Sequence, residues 1–160
     1  MYESKTVRLS NQAKAWIERI KEKKEADLKE LLSNGLTENL ETLLRTNRQY
    51  DLGGITCTIN LNVSISSIVD LAYDGTTHLK SEDWDKYATE LKKVESNNLQ
   101  KGTGSTPKLN LKITTFEGLG NRQIEFMNLA TYSAAKRSLH LGYLIKLLIY
   151  AFMRENKIEI

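Results

Sequence analysis

Several residue types that mark large protein classes are scarce in this chain. Its 160 residues include one cysteine, one proline and two histidines. The lone cysteine, Cys57, excludes a framework of internal disulfides. Neither His78 nor His140 has a carboxylate or a cysteine at ligand spacing, so we expect no metal site. Nothing in the composition calls for a cofactor, and we expect none.

Long apolar runs are scarce as well. The most apolar stretch, Tyr143–Met153, contains Lys146 and is shorter than the roughly 20 residues that span a bilayer. No charged-then-apolar leader opens the sequence, so we expect a cytoplasmic protein without membrane contact. A helix that is apolar on nearly all sides is buried on nearly all sides. The stretch therefore predicts either a core helix or a subunit interface.

Catalytic signatures are missing too. Ser105–Lys108 matches S-x-x-K, but it precedes a predicted strand rather than opening a helix, and its companion motifs are absent. Gly102–Gly104 lacks the third glycine of a nucleotide-binding loop. Because no acid, base and nucleophile converge, we predict that the protein is not an enzyme and assign no catalytic residue.

Charge of both signs is present but unevenly distributed. Residues 1–50 hold 10 Lys+Arg against 8 Asp+Glu, residues 51–100 hold 4 against 8, and residues 101–160 hold 9 against 4. Basic ends around an acidic middle permit binding to a polyanion, but a formal net charge of +3 does not establish it. A mildly basic solvated surface explains the charge equally well.

The N-terminal segment carries the clearest pattern in the chain. Residues 5–10 read Lys-Thr-Val-Arg-Leu-Ser and alternate polar with apolar side chains, which is typical of a strand with one wet face. A helix is predicted from about Asn11 to Lys24, with Ser10 or Asn11 as its cap. Its apolar stripe consists of Ala13, Trp16, Ile17 and Ile20.

A second helix is predicted after a break near Glu25-Ala26-Asp27. Asp27 opens it, with Glu30 three positions further on in a pattern that resembles a capping box. Gly35 is the predicted stop, and a third helix is expected from Thr37 to Arg45. The apolar face of the second helix consists of Leu28, Leu31, Leu32 and Leu36.

Residues 5–36 resemble the ribbon-helix-helix family of DNA-binding proteins. The likeness rests on Val7–Ser10 for the strand, Ile17–Ile20 for the first helix, and Leu28–Leu32 with Leu36 for the second. The resemblance implies that two chains each lend one strand to an antiparallel ribbon, which enters the major groove of DNA. The chain departs from the family at Glu25, where a glycine often stands. A helical hairpin that merely caps the rest of the chain is the alternative.

The resemblance and the strand alternation together indicate which residues would contact DNA. Val7 and Leu9 are expected to face the helices, which leaves the outward positions to meet base edges. Arg8 is the residue best able to specify a base, since its fork can bond guanine O6 and N7. The predicted base contacts are Ser4, Thr6, Arg8 and Ser10. The predicted phosphate contacts are Asp27, Leu28 and Lys29, through unpaired backbone N–H groups at a helix start.

The rest of the chain mixes strand and helix patterns. The predicted elements are a strand at Ile55–Ile65, a helix at Ser81–Val94, a loop at Asn97–Pro107, a strand at Leu109–Ile113, a turn at Glu117–Asn121, a strand through Ile124 and Phe126, and a helix from Thr131 onwards. We therefore predict an α+β fold. A ribbon-helix-helix-like unit over residues 1–48 would precede residues 49–160, a small antiparallel sheet packed with two helices that serves oligomerisation or partner binding.

A weak internal likeness bears on this organisation. Leu144–Leu148 with Phe152 repeats the spacing of Leu28–Leu32 with Leu36, and a predicted strand precedes it. A single chain holding two half-units is one interpretation. A shared leucine spacing between unrelated helices is the other.

The function predicted from these patterns is sequence-specific binding of double-stranded DNA by a homodimer or higher oligomer. Proteins that resemble this segment serve as transcriptional repressors or as accessory factors of plasmids and other mobile elements. The alternative is a small protein-binding inhibitor or adaptor from a mobile element, without DNA contact. It would use the helix Ser81–Val94 or the exposed face of the Ile55 strand.

Overall fold

The computed structural model describes residues 1–47, 49–97, 104–133 and 138–160. These residues form an α+β fold, which confirms the predicted class. In chain order the elements are β1 (Tyr2–Thr6), α1 (Asn11–Ser33), α2 (Leu36–Thr46), α3 (Ile65–Gly75), α4 (Ser81–Asn97), β2 (Lys108–Lys112), α5 (Ile113–Glu125) with a 3₁₀ turn at Phe126–Asn128, and α6 (Leu141–Glu155).

The two strands form an antiparallel ribbon within one chain. Tyr2 lies opposite Lys112, and Thr6 lies opposite Lys108. The same register continues beyond the strands, because the backbone groups of Leu9 and Ser105 exchange hydrogen bonds of 2.8 and 3.0 Å. The ribbon therefore extends over residues 2–9 and 105–112. The resemblance implied a second strand from a second chain, but in this structure β2 of the same chain pairs with β1.

The core is built around α6. Every residue of α6 from Leu144 to Met153 is buried, and the helix packs against α1, α3, α4 and α5. Of the two interpretations of this apolar stretch, the core helix is confirmed. The predicted stripe of α1, which consists of Ala13, Trp16, Ile17 and Ile20, is buried as well. The two predicted units, 1–48 and 49–160, thus contribute to one core.

The helix α1 runs without interruption through the predicted break. It begins at Asn11, where the Ser10 hydroxyl accepts a hydrogen bond from Ala13 N, as predicted. The break near Glu25 is wrong because nothing there disfavours a helix, and an ion pair between Lys21 and Glu25 links successive turns. The helix ends at Ser33, and Gly35, two residues further on, adopts φ +83° before α2 begins. The helix predicted from Thr37 to Arg45 is confirmed as α2.

The predicted strand at Ile55–Ile65 is also wrong. The alternation is still visible in the burial of the side chains, because the apolar residues from Cys57 to Val63 are half-buried while their polar neighbours are exposed. No strand pairs with this segment in the described structure. A strand needs a partner edge. The second edge of β2 is covered by α3, where Ser66 Oγ accepts a hydrogen bond from Asn110 N at 2.8 Å and the Asp70 carboxylate accepts one from Lys112 N at 3.3 Å.

The hairpin predicted after β2 is replaced by a helix. Residues of the predicted turn Glu117–Asn121 lie inside α5, and Ile124 and Phe126 lie at its end and in the 3₁₀ turn. Gly118 is required there by packing rather than by a turn, because a Cβ at this position would overlap the Tyr73 hydroxyl. Part of the helix predicted from Thr131 onwards, residues 134–137, lies outside the described residues, and the described helix of this region is α6 from Leu141.

Two further predictions agree with the structure in part. The helix Ser81–Val94 is confirmed as α4, and the strand Leu109–Ile113 is confirmed as β2 with a shift of one residue. Part of the predicted loop Asn97–Pro107 lies outside the described residues. The part that is described runs beside β1, where Pro107 O accepts a hydrogen bond from Val7 N at 3.1 Å.

Candidate nucleic-acid interface

One face of the ribbon is exposed throughout, whereas the other is buried at four positions and leaves Glu3 and Lys5 of β1 exposed. Val7, Leu9, Leu109 and Leu111 point into the core and are at most 4% exposed. Side chains directly opposite each other in the register share a face. The exposed side, called here the outer face, consists of Tyr2, Ser4, Thr6, Arg8, Thr106, Lys108, Asn110 and Lys112. As predicted, Val7 and Leu9 point inwards while Ser4, Thr6 and Arg8 are exposed.

The outer face is polar and positively charged. It carries three cations, Arg8, Lys108 and Lys112, and no carboxylate of its own. Lys112 Nζ lies 3.2 Å from Asp74 on α3, and the hydrogen bond with this carboxylate raises the pKa of Lys112. In the part of the chain that the structure describes, no carboxylate forms an ion pair with Arg8 or Lys108. Two cations on this face therefore have their charge free for an external anion.

One contact across the outer face orients an amide. Ser4 Oγ donates a hydrogen bond of 3.2 Å to Asn110 Oδ1, which lies directly opposite in the register. The Asn110 side chain is thereby held beside the strand, with its Nδ2 group free to donate. The outer face thus presents an arginine fork, an oriented amide, a lysine and the Thr6 hydroxyl within one ribbon.

Helix starts flank both edges of the ribbon. The start of α3 lies beside β2, as described above. The start of α6 lies beside residue 8, because Gly142 packs so closely that a Cβ there would overlap the carbonyl oxygen of Arg8. A cleft of about 450 Å³ lies at this junction, between residues 6–8 and residues 140–143. The first turn of a helix carries backbone N–H groups without intrahelical partners, and such groups favour anions.

The predicted phosphate site at Asp27–Lys29 does not form. These residues lie in the interior of α1, where backbone N–H groups are hydrogen-bonded within the helix. Asp27 instead forms an ion pair with Lys24 at 3.3 Å. The prediction is wrong because it depended on the helix break. Ser10 is also removed from the base-reading positions, since its hydroxyl caps α1.

Sequence reasoning missed the contribution of the second strand. The alternation at Leu109–Ile113 indicated that Asn110 and Lys112 face solvent, but nothing local said that they lie opposite Ser4 and Tyr2. The one feature of the sequence that favours their pairing is that both strands have the same polar and apolar alternation. Pairing two such strands buries both apolar faces together.

Other charged groups in the interior are structural. Arg122 donates to Thr76 Oγ1 and Thr76 O at 3.2 Å and lies over the rings of Tyr73 and Trp84. Burial lowers the pKa of Arg122. Lys146 pairs with Glu95 at 2.6 Å. Among the described residues, no cluster of His, Cys, Asp and Glu could hold a metal ion, and no helix is long and apolar enough to cross a membrane.

Comparisons with known proteins give no relative. No protein-family model, no curated protein and no solved structure matches the chain.

Proposed function

We propose that the protein binds double-stranded DNA through the outer face of its ribbon. The observation that carries the proposal is a two-stranded antiparallel ribbon with a polar, carboxylate-free outer face, anchored by buried leucines on the other side. In this proposal the biological role is that of a transcriptional repressor or an accessory factor of a plasmid or other mobile element.

The dimensions and chemistry of the ribbon suit the major groove. Paired strands lie about 5 Å apart, and a two-stranded ribbon fits a groove about 12 Å wide. Arg8 can bond guanine O6 and N7, and Asn110 can bond adenine N6 and N7. Thr6 can contact a base or a thymine methyl, while Lys108 supplies charge to a phosphate.

The order of elements also supports a ribbon-helix-helix arrangement. Each strand of the ribbon leads into a helix of the core, β1 into α1 and β2 into α5. One chain supplies both strands, so a homodimer is not needed to complete the ribbon. If the protein dimerises as the resemblance implies, two complete ribbons would then meet neighbouring segments of one duplex.

The test is duplex binding at several salt concentrations. Affinity should fall by an order of magnitude or more between about 50 and 200 mM salt, because phosphate contacts release counterions. The variant Arg8→Ala should lose about 1–3 kcal/mol of discrimination between the preferred duplex and an unrelated one. Arg45→Ala is the matched control, since Arg45 is exposed on α2 and does not belong to the ribbon. Binding that is insensitive to salt and to Arg8 would refute the proposal.

A protein-binding adaptor is the second candidate, because one region leaves leucines uncovered. No described residue between 21 and 64 is buried, and Leu31, Leu32 and Leu43 are 51%, 40% and 65% exposed. Affinity capture from cells with and without nuclease separates the two functions. A partner that is retained after nuclease, together with absence of duplex binding, would favour the adaptor.

A further inference from the structure

The two strands of the outer face are chemically different. Along β1 the outward residues include Ser4, Thr6 and Arg8, and along β2 they include Lys108, Asn110 and Lys112. A ribbon made of two identical strands has a two-fold axis, and it presents the same side chains to both halves of its site. No such axis can relate these two strands, because their outward residues differ at every equivalent position.

We infer that one chain reads an asymmetric, non-palindromic duplex sequence, with Arg8 and Asn110 specifying different bases in it. This inference rests on the proposed function and adds the class of DNA site. The symmetry of a DNA site mirrors the symmetry of the protein surface that reads it. A ribbon without a two-fold axis therefore matches a site without one.

The register fixes the separation of the two reading residues. Arg8 lies four positions along the ribbon from Ser4, and Ser4 lies opposite Asn110. At about 3.4 Å per residue in a strand and about 3.4 Å of axial rise per base pair in DNA, Arg8 and Asn110 reach bases at most about four pairs apart. The expected site contains a guanine and an adenine at that spacing.

One edge of the ribbon is covered along β2, and the other is covered only at the end of β1. The second edge of β2 is covered by α3, through the hydrogen bonds to Ser66 and Asp70. Beside residue 8, the edge of β1 meets the start of α6 at Gly142. Both strands of the reading surface belong to one chain, so a single chain presents all of its outward residues.

The experiment is a selection of the full-length protein against a library of randomised DNA duplexes, followed by measurement of the mass of the complex on the enriched duplex. We expect one non-palindromic motif, bound by one chain per motif. Asn110→Ala should lower the preference for adenine over other bases at its position by about tenfold or more. Arg8→Ala should lower the preference for guanine by a similar factor. Asn39→Ala, an exposed asparagine on α2, is the control that should change neither preference.

The possible failures are distinguishable. A palindromic motif bound by two chains overturns this inference while leaving DNA binding intact. A non-palindromic motif whose base preferences do not change in Asn110→Ala overturns the assignment of this residue. Absence of any salt-dependent duplex binding overturns the proposed function and this inference together. Circular dichroism of each variant establishes that the fold is retained.

Discussion

At the scale of single residues, one glycine determines how closely the central helix approaches the ribbon. Gly142 lies in the first turn of α6, and a Cβ there would overlap the carbonyl oxygen of Arg8. The overlap involves backbone on both sides, so neither partner can move away as a flexible side chain would. The position of Arg8 on the outer face depends on this contact.

We therefore expect Gly142→Ala to lower the free energy of unfolding by about 1–3 kcal/mol, the range typical of overpacking. Gly120→Ala is the matched control. Gly120 lies in α5 with nothing within 4 Å of an added Cβ, so alanine there should stabilise the protein by about 0.5–1 kcal/mol. Urea unfolding of both variants is the measurement. Equal stabilities would show that Gly142 does not make the close contact described.

At the scale of elements, α1 is one continuous helix where the sequence predicted two helices with a break near residue 26. Ala26 is exposed in the middle of α1. In a helix interior Ala26→Gly costs about 1 kcal/mol, whereas in a turn glycine would cost nothing. We expect the variant to lose helix content by circular dichroism and to speed amide hydrogen exchange in residues 22–30.

The comparison variant for this prediction is Gly35→Ala, in the connection between α1 and α2. Gly35 has φ +83°, a conformation in which a side chain costs about 1–2 kcal/mol. Both variants should therefore be destabilised. If Ala26→Gly left helix content and exchange unchanged while Gly35→Ala lowered stability, α1 would be broken near residue 26 after all.

Elements with strong local signals could be predicted from the sequence. The start of α1 has a serine cap before an apolar stripe, α4 has an apolar stripe with acidic residues in its first turn, and α6 is apolar almost throughout. The helix α3 also had a signal that was overlooked. Ser64 and Ser67 form a capping box, and Ile65, Ile68, Val69 and Ala72 follow at helical spacing.

The pairing of the ribbon could not be predicted in the same way. The strands β1 and β2 are about a hundred residues apart in the sequence. Short strands with the same alternation can pair equally well with one another, so local sequence does not say which two are neighbours. Half of the candidate site followed from the sequence, namely Ser4, Thr6 and Arg8. The alternation also indicated that Asn110 faces solvent, but the positions of Asn110 and Lys108 opposite Ser4 and Thr6 came only from the register.

At the scale of the whole molecule, the question is whether the first fifty residues can unfold separately from the rest. The ring of Trp16 on α1 lies 5.6 Å from that of Tyr150 on α6, and Trp16 is 4% exposed. The only other tryptophan, Trp84, belongs to residues 49–160, and the centre of its ring lies 4.9 Å from that of Phe126. Each tryptophan thus reports on one of the two units that the sequence predicted.

The substitution Trp16→Ala makes this a test of cooperativity. It should remove about 3–5 kcal/mol of stability, as truncation of a large buried side chain does. Because α1 and α6 share one core, the whole protein should unfold in one transition. The urea midpoint measured by the fluorescence of Trp84 should therefore fall by the amount that corresponds to the full loss of stability. Lys23→Ala, an exposed change in the same helix, should leave that midpoint in place. If the Trp84 transition stayed where it is in the parent protein, residues 1–48 would form a separately folding unit, and the ribbon would have to be held together by β1 and β2 alone.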